Sequence, residues 1–223
     1  MEEKLKIDAL YQKPYATLAK PLLERFSYPW EALSELSFFI SSLGKTLSQD
    51  EYDEIGEEIW ISKEATVASS AEIHGPCIIG KRAEIRHCAY IRGSVIVGDG
   101  AVVGNSTELK NCILFDGVQV PHYNYVGDSI LGMRSHMGAG AVTSNVKSDK
   151  TAVCILSDGE KVDTGRKKCG AMLGDFVEVG CNTVLNPGTV IGPHTNVYPR
   201  STVRGYVPPN HIFKDSNNIV KKR

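Results

Sequence analysis

ISKEATVASSAEIHGPCIIGKRAEIRHCAYIRGSVIVGDGAVVG, residues 61–104, repeats itself every six residues. Every sixth position from Ile61 gives Ile61, Val67, Ile73, Ile79, Ile85, Ile91, Val97 and Val103, and the series continues through Leu109 and Phe115. All of these are apolar and most are β-branched. Four residues after each stands a second, mostly small series: Ala65, Ala71, Cys77, Ala83, Ala89, Val95, Ala101, Thr107 and Ile113. The pattern resumes at Leu173, Val179, Leu185, Ile191, Val197 and Val203. Between the two runs lies a shifted piece, Val126, Leu131 and Met137, in which one step is five residues.

A six-residue period is neither helical nor the alternation of a simple strand. It suits a short flat strand, a corner and another short strand, so that three strands make one triangular coil. The large aliphatic side chain points into the prism and the small one fits near the corner. Successive coils then pair as parallel strands about 4.8 Å apart. No coil buries its inward face alone, so the stack is cooperative. The expectation is an all-β hexapeptide-repeat domain over residues 58–207.

The rest of the chain is read against that prism. Residues 1–57 do not repeat. SYPWEALSELSFFISSLG, residues 27–44, reads as a helix with Ser27 near the cap, Pro29 in the first turn and Gly44 as the stop. Trp30, Leu33, Leu36, Ile40 and Leu43 fall on one of its faces, and a shorter helix is expected around 21–26. Because an open prism end exposes strand edges, these helices are expected to cap the N-terminal coil. Residues 144–172 are expected to loop out of one corner, and 208–223 to form an extended tail with a polar, basic finish.

Composition narrows the function classes. With 223 residues and a net charge of −1, the chain has no basic excess for a dedicated nucleic-acid binder. It has no run of about eighteen apolar residues for a membrane span, and MEEKLKIDAL lacks the layout of a secretory signal. Six cysteines without a CxxC pair or zinc spacing point to reduced thiols in a cytoplasmic protein.

Two places could carry chemistry. Arg92 and Lys110 are eighteen residues apart and each follows an inward aliphatic, so the stack sets their stems about 5 Å apart. Stacked cations suit a shared phosphate; solvated surface charges with splayed tips are the alternative. The second place is VPHYNYVGDS, residues 120–129. Counting on from Phe115 puts an aliphatic residue at 121, where Pro121 stands, followed by His122. A histidine is the natural proton acceptor near neutral pH. His122 is expected two faces further round than Lys110, so packing of prisms in a cyclic trimer would bring the two together.

ELK at 108–110, PHYNYVGDS and MGAGAVTSN at 137–145 resemble the acetyltransferase domain of bacterial bifunctional UDP-N-acetylglucosamine pyrophosphorylase/glucosamine-1-phosphate acetyltransferase. The likeness covers about residues 60–146 closely and the later coils only as generic repeat. It implies a left-handed parallel β-helix, a homotrimer with sites between subunits, and acetyl-CoA as co-substrate with no metal. By the same resemblance His122 is the general base; Arg92 and Lys110 hold sugar phosphate; Tyr125, His136 and Asn145 contact the acceptor; and Gly138, Ala139 and Gly140 line the acetyl-CoA groove. The implied activity is N-acetylation of an amino-sugar phosphate or nucleotide-linked amino sugar. Backbone amides near Gly138–Gly140 are expected to stabilise the oxyanion.

The chain departs from that family in three ways. His136 stands where the family usually has Asn, Val146 replaces a Tyr, and the insertion follows. No Gly-rich nucleotidyltransferase motif is present, so uridylyl transfer is not expected. The departures leave open a catalytically inactive, sugar-nucleotide-binding or scaffolding trimer. The same prism also builds zinc-dependent γ-class carbonic anhydrases. Those need three converging histidines, and after His87 and His122 the third expected place, 127, is Gly.

Overall fold

A computed structural model describes residues 2–222. Met1 and Arg223, the outer ends of the expected helical segment and tail, lie outside the described residues. The chain is a left-handed parallel β-helix with a few short helices. Face 1 stacks Ile59–Ser62, Cys77–Ile79, Val95–Val97, the second halves of Glu108–Leu114 and Tyr125–Leu131, Ala171–Leu173, Thr189–Ile191 and Tyr206–Val207. Face 2 stacks Thr66–Val67, Glu84–Ile85, Val102–Asn105, Gln119–His122, His136–Met137, Glu178–Val179, Asn196–Val197 and His211–Asp215. Face 3 stacks Glu72–Ile73, Tyr90–Ile91, the first halves of the two long strands, Val142–Thr143, Val184–Leu185 and Thr202–Val203.

The inward aliphatics meet in one core, where Ile79, Ile91, Val97, Val103 and Leu109 are fully buried. Register then corrects the six-residue count. Partners are eighteen apart early in the stack, as in Ile78↔Ile96, and seventeen apart in the middle, as in Ile96↔Ile113 and Ile113↔Ile130. The missing residue lies at the corner between faces 3 and 1. There Gly93 and Ser94 turn the earlier coil with two left-handed residues, at φ 89° and 54°, whereas Asn111 and Asp128 turn the next two with one each, at φ 47° and 48°. Asn and Asp tolerate this conformation better than most residues, because their short polar side chains bond locally. The inward residue is therefore Leu114 rather than Phe115, and the next is Val120. Pro121 is then the ordinary residue after an inward aliphatic, in register with Gly104, and breaks no rule.

Face 1 is apolar on its outer side as well: Trp60, Ile78, Ile96, Ile113, Ile130, Met172 and Val190 are all buried. Covering each such side chain stabilises by about 1.5–3 kcal/mol, which is why the non-repeating segments lie here. Leu36–Gly44 packs across Cys77–Ile79, Val95–Val97 and Glu108–Leu114, and Pro29–Ala32 packs on Tyr125–Leu131. Further along, the Asp175 amide donates to the Leu10 carbonyl, and Lys4 sits over the Tyr206 ring, 5.0 Å from its centre. The helical segment thus straps face 1 along the prism instead of closing its open end. The edge of the first coil is paired antiparallel by Tyr52–Gly56. The single helix expected over 27–44 is two, Pro29–Ala32 and Leu36–Gly44. Gly44 is required by close approach, since a Cβ there would collide with the Trp60 ring.

The insertion is an ordered hairpin, Cys154–Ser157 with Glu160–Asp163, turned by Asp158–Gly159 with both φ positive, the sequence such a tight turn favours. Val153 and Ile155 anchor it, fully buried, against Thr189–Ile191 and Tyr206–Val207. The expected tail is also ordered. Val190↔Tyr206 and Asn196↔Ile212 are sixteen apart, so the last coil is two residues short and the six-residue count loses it. Phe213 still points inward, and Asn218–Lys221 folds back antiparallel to cover the final edge.

The thiols divide by place. Burial pushes Cys77 and Cys169 up to about 12 and Cys112 higher still, while Cys88 and Cys181 are exposed. Iodoacetamide at pH 7.5 on the native protein is expected to alkylate Cys88 and Cys181 and spare the three buried thiols. Peptide mass spectrometry reads this, and rapid modification of Cys77 would contradict the packing.

Candidate active site

The outer side of face 3 has a different chemistry at each edge. At its entry, the corner shared with face 2, the residues before each turn are His87, Asn105, His122, Ala139 and Cys181. Each hands its carbonyl to the next coil: Ser106 N to His87 O at 3.3 Å, Tyr123 N to Asn105 O at 2.9 Å, Gly140 N to His122 O at 3.0 Å and Asn182 N to Ala139 O at 2.8 Å. Asn105 also pairs with His122 in register. The turn residue Tyr123 has φ 51° and is 64% exposed. The His122 side chain is exposed, and its ring makes no hydrogen bond among the described residues. Its backbone is held below it: the His122 amide donates to Asn124 Oδ1, and the buried Asn124 Nδ2 donates to the carbonyls of Gly138 and Ala141 at 2.9 and 3.0 Å.

At the exit edge, the corner with face 1, Arg92 stacks beside Lys110, with the Arg92 amide donating to the Leu109 carbonyl at 2.9 Å. Lys110 in turn stands opposite Gly127. The stacked cations predicted from spacing are there, but the chain supplies their counter-charges. Arg92 Nη1 donates to Glu108 Oε1 at 2.6 Å, and Lys110 Nζ lies 3.8 Å from Asp128 Oδ2. Asp128 is the hub of this edge. Its carboxylate is only 3% exposed and accepts from Asn111 Nδ2 at 2.8 Å and Asn145 Nδ2 at 2.6 Å. Asn145 Nδ2 also reaches the Tyr125 hydroxyl at 3.3 Å, and burial holds that phenol above its ordinary range. The insertion leaves and rejoins the prism here: Cys169 N donates to Asn145 O at 3.0 Å and Gly170 N to Asp128 O at 2.8 Å.

Arg92, Lys110, Tyr125 and Asn145 therefore gather on face 3, and His122 stands at the same face's other edge, on the corner with face 2. Asn124 to Gly127 spans that width, about 10 Å at 3.3 Å per residue. His122 is two faces onward along the chain, but a triangle closes, so it flanks the face that Lys110 leaves. His136 is not brought to this face. It lies on face 2, with Nδ1 2.9 Å from Glu178 Oε2, opposite Gln119. Gly138, Ala139 and Gly140 lie one coil beyond His122 on the entry corner. The Gly138 amide is taken by Val179 O and that of Gly140 by His122 O, so only the Ala139 amide is free among the described residues. Gly138 has a packing cause of its own, since a Cβ there would sit 2.7 Å from Cys181 N. Among the described residues no group of three or more His, Cys, Asp or Glu side chains forms a metal cluster. His87 instead meets Ser70 Oγ through Nδ1 at 2.7 Å and Cys88 Sγ through Nε2 at 3.2 Å.

Sequence reasoning missed Asp128, Asn111 and Glu108. The signal for Asp128 was the five-residue step from Val126 to Leu131, which marks a one-residue corner and asks for Asn or Asp; the like step from Leu109 to Leu114, which holds Asn111, was hidden by the apolar Phe115.

Comparison with known proteins gives the lineage. The chain is 32% identical over 198 residues to the bifunctional protein GlmU of Methanococcus vannielii, covering 87% of this chain and 48% of that one. It is 34% identical over 112 residues to a bifunctional sugar-1-phosphate nucleotidylyltransferase/acetyltransferase of Sulfurisphaera tokodaii, covering 50% of this chain and 28% of that one. The chain thus spans about half or less of the length of these curated relatives. Among solved structures, the acetyltransferase domain of PglB from Neisseria gonorrhoeae, in complex with acetyl coenzyme A, matches at 17% identity with a TM-score of 0.41, covering 74% of this chain and 57% of that one. A family model described as the GMPPB C-terminal domain matches residues 73–204, more than half of the chain, and the protein belongs to that family.

Proposed function

We propose that the protein is an acetyl-CoA-dependent N-acetyltransferase for an amino-sugar phosphate or a nucleotide-linked amino sugar, with its site on face 3. The observation that carries the reading is the pairing of an unengaged imidazole at one edge with a guanidinium, an ammonium and two amide side chains at the other. His122 takes the proton from the acceptor's amine, leaving a neutral nucleophile for the thioester carbon. The new C–N bond forms as the C–S bond breaks, and the proton passes on to the departing thiolate of CoA. Arg92 and Lys110 hold the acceptor's phosphate and so fix its orientation. The Arg92–Glu108 pair is an exposed ion pair, worth about 0–1 kcal/mol, so a dianionic phosphate displaces Glu108 at small cost. The Ala139 amide is the donor left for the oxyanion, and the small side chains of Ala139 and Cys181 leave room for the cofactor's arm along the entry corner.

Faces 2 and 3 are open while face 1 is strapped, and a closed cyclic trimer joins two different faces at each interface. In that homotrimer a neighbour's face 2 lies near face 3, the arrangement in which His136 reaches an acceptor. The name of the Sulfurisphaera tokodaii relative, which includes an acetyltransferase, supports the same reading. A second reading, a sugar-nucleotide-binding or scaffolding trimer without turnover, draws on Glu108 and Asp128 already neutralising both cations.

The test is acetyl-CoA-dependent acetylation of a panel of amino-sugar phosphates and nucleotide-linked amino sugars, read by mass spectrometry of the product. Arg92→Ala is expected to raise KM for the phosphorylated acceptor about tenfold or more, the loss of one charge-assisted phosphate contact, with kcat little changed. An unchanged KM would return Arg92 to the solvated surface.

A further inference from the structure

The insertion roofs a cavity against the later coils on the same corner that carries Arg92 and Lys110. Lys147, Leu156 and Lys161 line it from the insertion, Pro187 and Arg204 from the prism, and Asp149 is the one carboxylate in its lining. Lys147 is paired with that carboxylate at 3.4 Å. Among the described residues neither Lys161 nor Arg204 has an ion-pair partner, so two uncompensated cations converge on one hollow. Beside them Leu156 and Pro187 supply an apolar wall.

The place of this cavity matters as much as its charge. Ser144, Asn186 and Arg204 continue the corner column of Arg92 and Lys110, each following an inward residue of face 3; the Ser144 amide donates to Leu185 O at 2.8 Å and the Asn186 amide to Val203 O at 2.9 Å. Four coils separate Lys110 from Arg204, about 19 Å at the spacing of paired strands. Asn145, bonded to Asp128 in the candidate site, lies between Ser144 and Val146, which line the cavity. The cavity therefore adjoins the candidate site at Asn145.

We propose that this cavity binds a nucleoside phosphate. The Arg204 fork and the Lys161 ammonium take the phosphate oxygens, and Leu156 and Pro187 face the base. Such a group has two sources in the proposed reaction: the nucleotide half of a nucleotide-linked acceptor, or the phosphoadenosine end of CoA. The assignment of source rests on the acetyltransferase reading; the cavity's affinity for a nucleoside phosphate does not.

Calorimetric titration of the full chain with UDP, GDP, CoA and inorganic pyrophosphate tests it, using wild type, Arg204→Glu and Lys161→Glu. Both side chains are exposed, so both variants are expected to fold. Each is expected to weaken at least one nucleoside phosphate about tenfold or more by charge reversal. Loss confined to UDP or GDP supports the site and assigns the acceptor; loss confined to CoA supports it and assigns the cofactor. Affinities equal in wild type and both variants would overturn the proposal, as would pyrophosphate binding as tightly as the nucleoside diphosphates. Turnover with a simple amino-sugar phosphate is read in parallel: if it persists while both variants bind UDP, GDP and CoA as wild type does, the cavity proposal fails and the acetyltransferase reading stands.

Discussion

His122→Ala is expected to lose acetyl transfer by about 10²- to 10⁴-fold in kcat, the usual contribution of a positioned general base. The side chain is exposed, and its ring bonds to nothing among the described residues. Neither the core nor the corner ladder depends on it, because the bonds at this position run through the His122 amide and carbonyl. Circular dichroism and mass by light scattering are therefore expected to match wild type, at three times 24.3 kDa in the proposed trimer. Wild-type turnover by this variant on a verified acceptor would remove His122 from the mechanism.

Asp128→Ala is expected to damage both fold and site. Its carboxylate is 3% exposed, and Lys110, Asn111 and Asn145 all converge on it. Deleting it leaves Asn111 Nδ2 without an acceptor and Asn145 Nδ2 with only the Tyr125 hydroxyl at 3.3 Å, at about 1–3 kcal/mol for an unsatisfied group, and puts Ala at φ 48°, where Asp is better tolerated. Lys110, 28% exposed, swings into solvent, which lessens the penalty. The net expectation is a loss of about 2–4 kcal/mol, or a fall in Tm of about 2–4 °C per kcal/mol in a chain of this size. Asp128→Asn separates the two roles. It keeps the turn and one acceptor oxygen, but its amide presents hydrogens to one of the two donors, Asn111 or Asn145, and withdraws the charge facing Lys110. It should lose less stability than Ala and still lose acceptor affinity. A Tm and KM both unchanged in Asp128→Ala would show that this hub holds nothing.

The prism was legible because its inward positions obey a strict period, and a strand's inward side chain is dictated by the core. What the period did not carry was the outer surface. The apolar stripe of Ile78, Ile96, Ile113 and Ile130 stands beside the inward series and reads as part of the same hydrophobic run. Only the three-dimensional stack shows that it faces outward and needs the N-terminal strap. Register slipped for a related reason. A corner one residue shorter leaves apolar residues at both Leu114 and Phe115, so counting chose the wrong one and made Pro121 look anomalous. The neighbourhood of Arg92 and Lys110 followed from spacing alone, whereas their neutralisation by Glu108 and Asp128 did not, because side-chain direction at a corner depends on the left-handed turn.

The most direct test of the central claim is a crystal structure with CoA and an amino-sugar phosphate bound. The account predicts the acceptor lying across face 3, its phosphate between Arg92 and Lys110 and its amine within hydrogen-bond reach of a His122 ring. Sugar density that leaves face 3 empty, with His122 touching no ligand in any protomer, would contradict it.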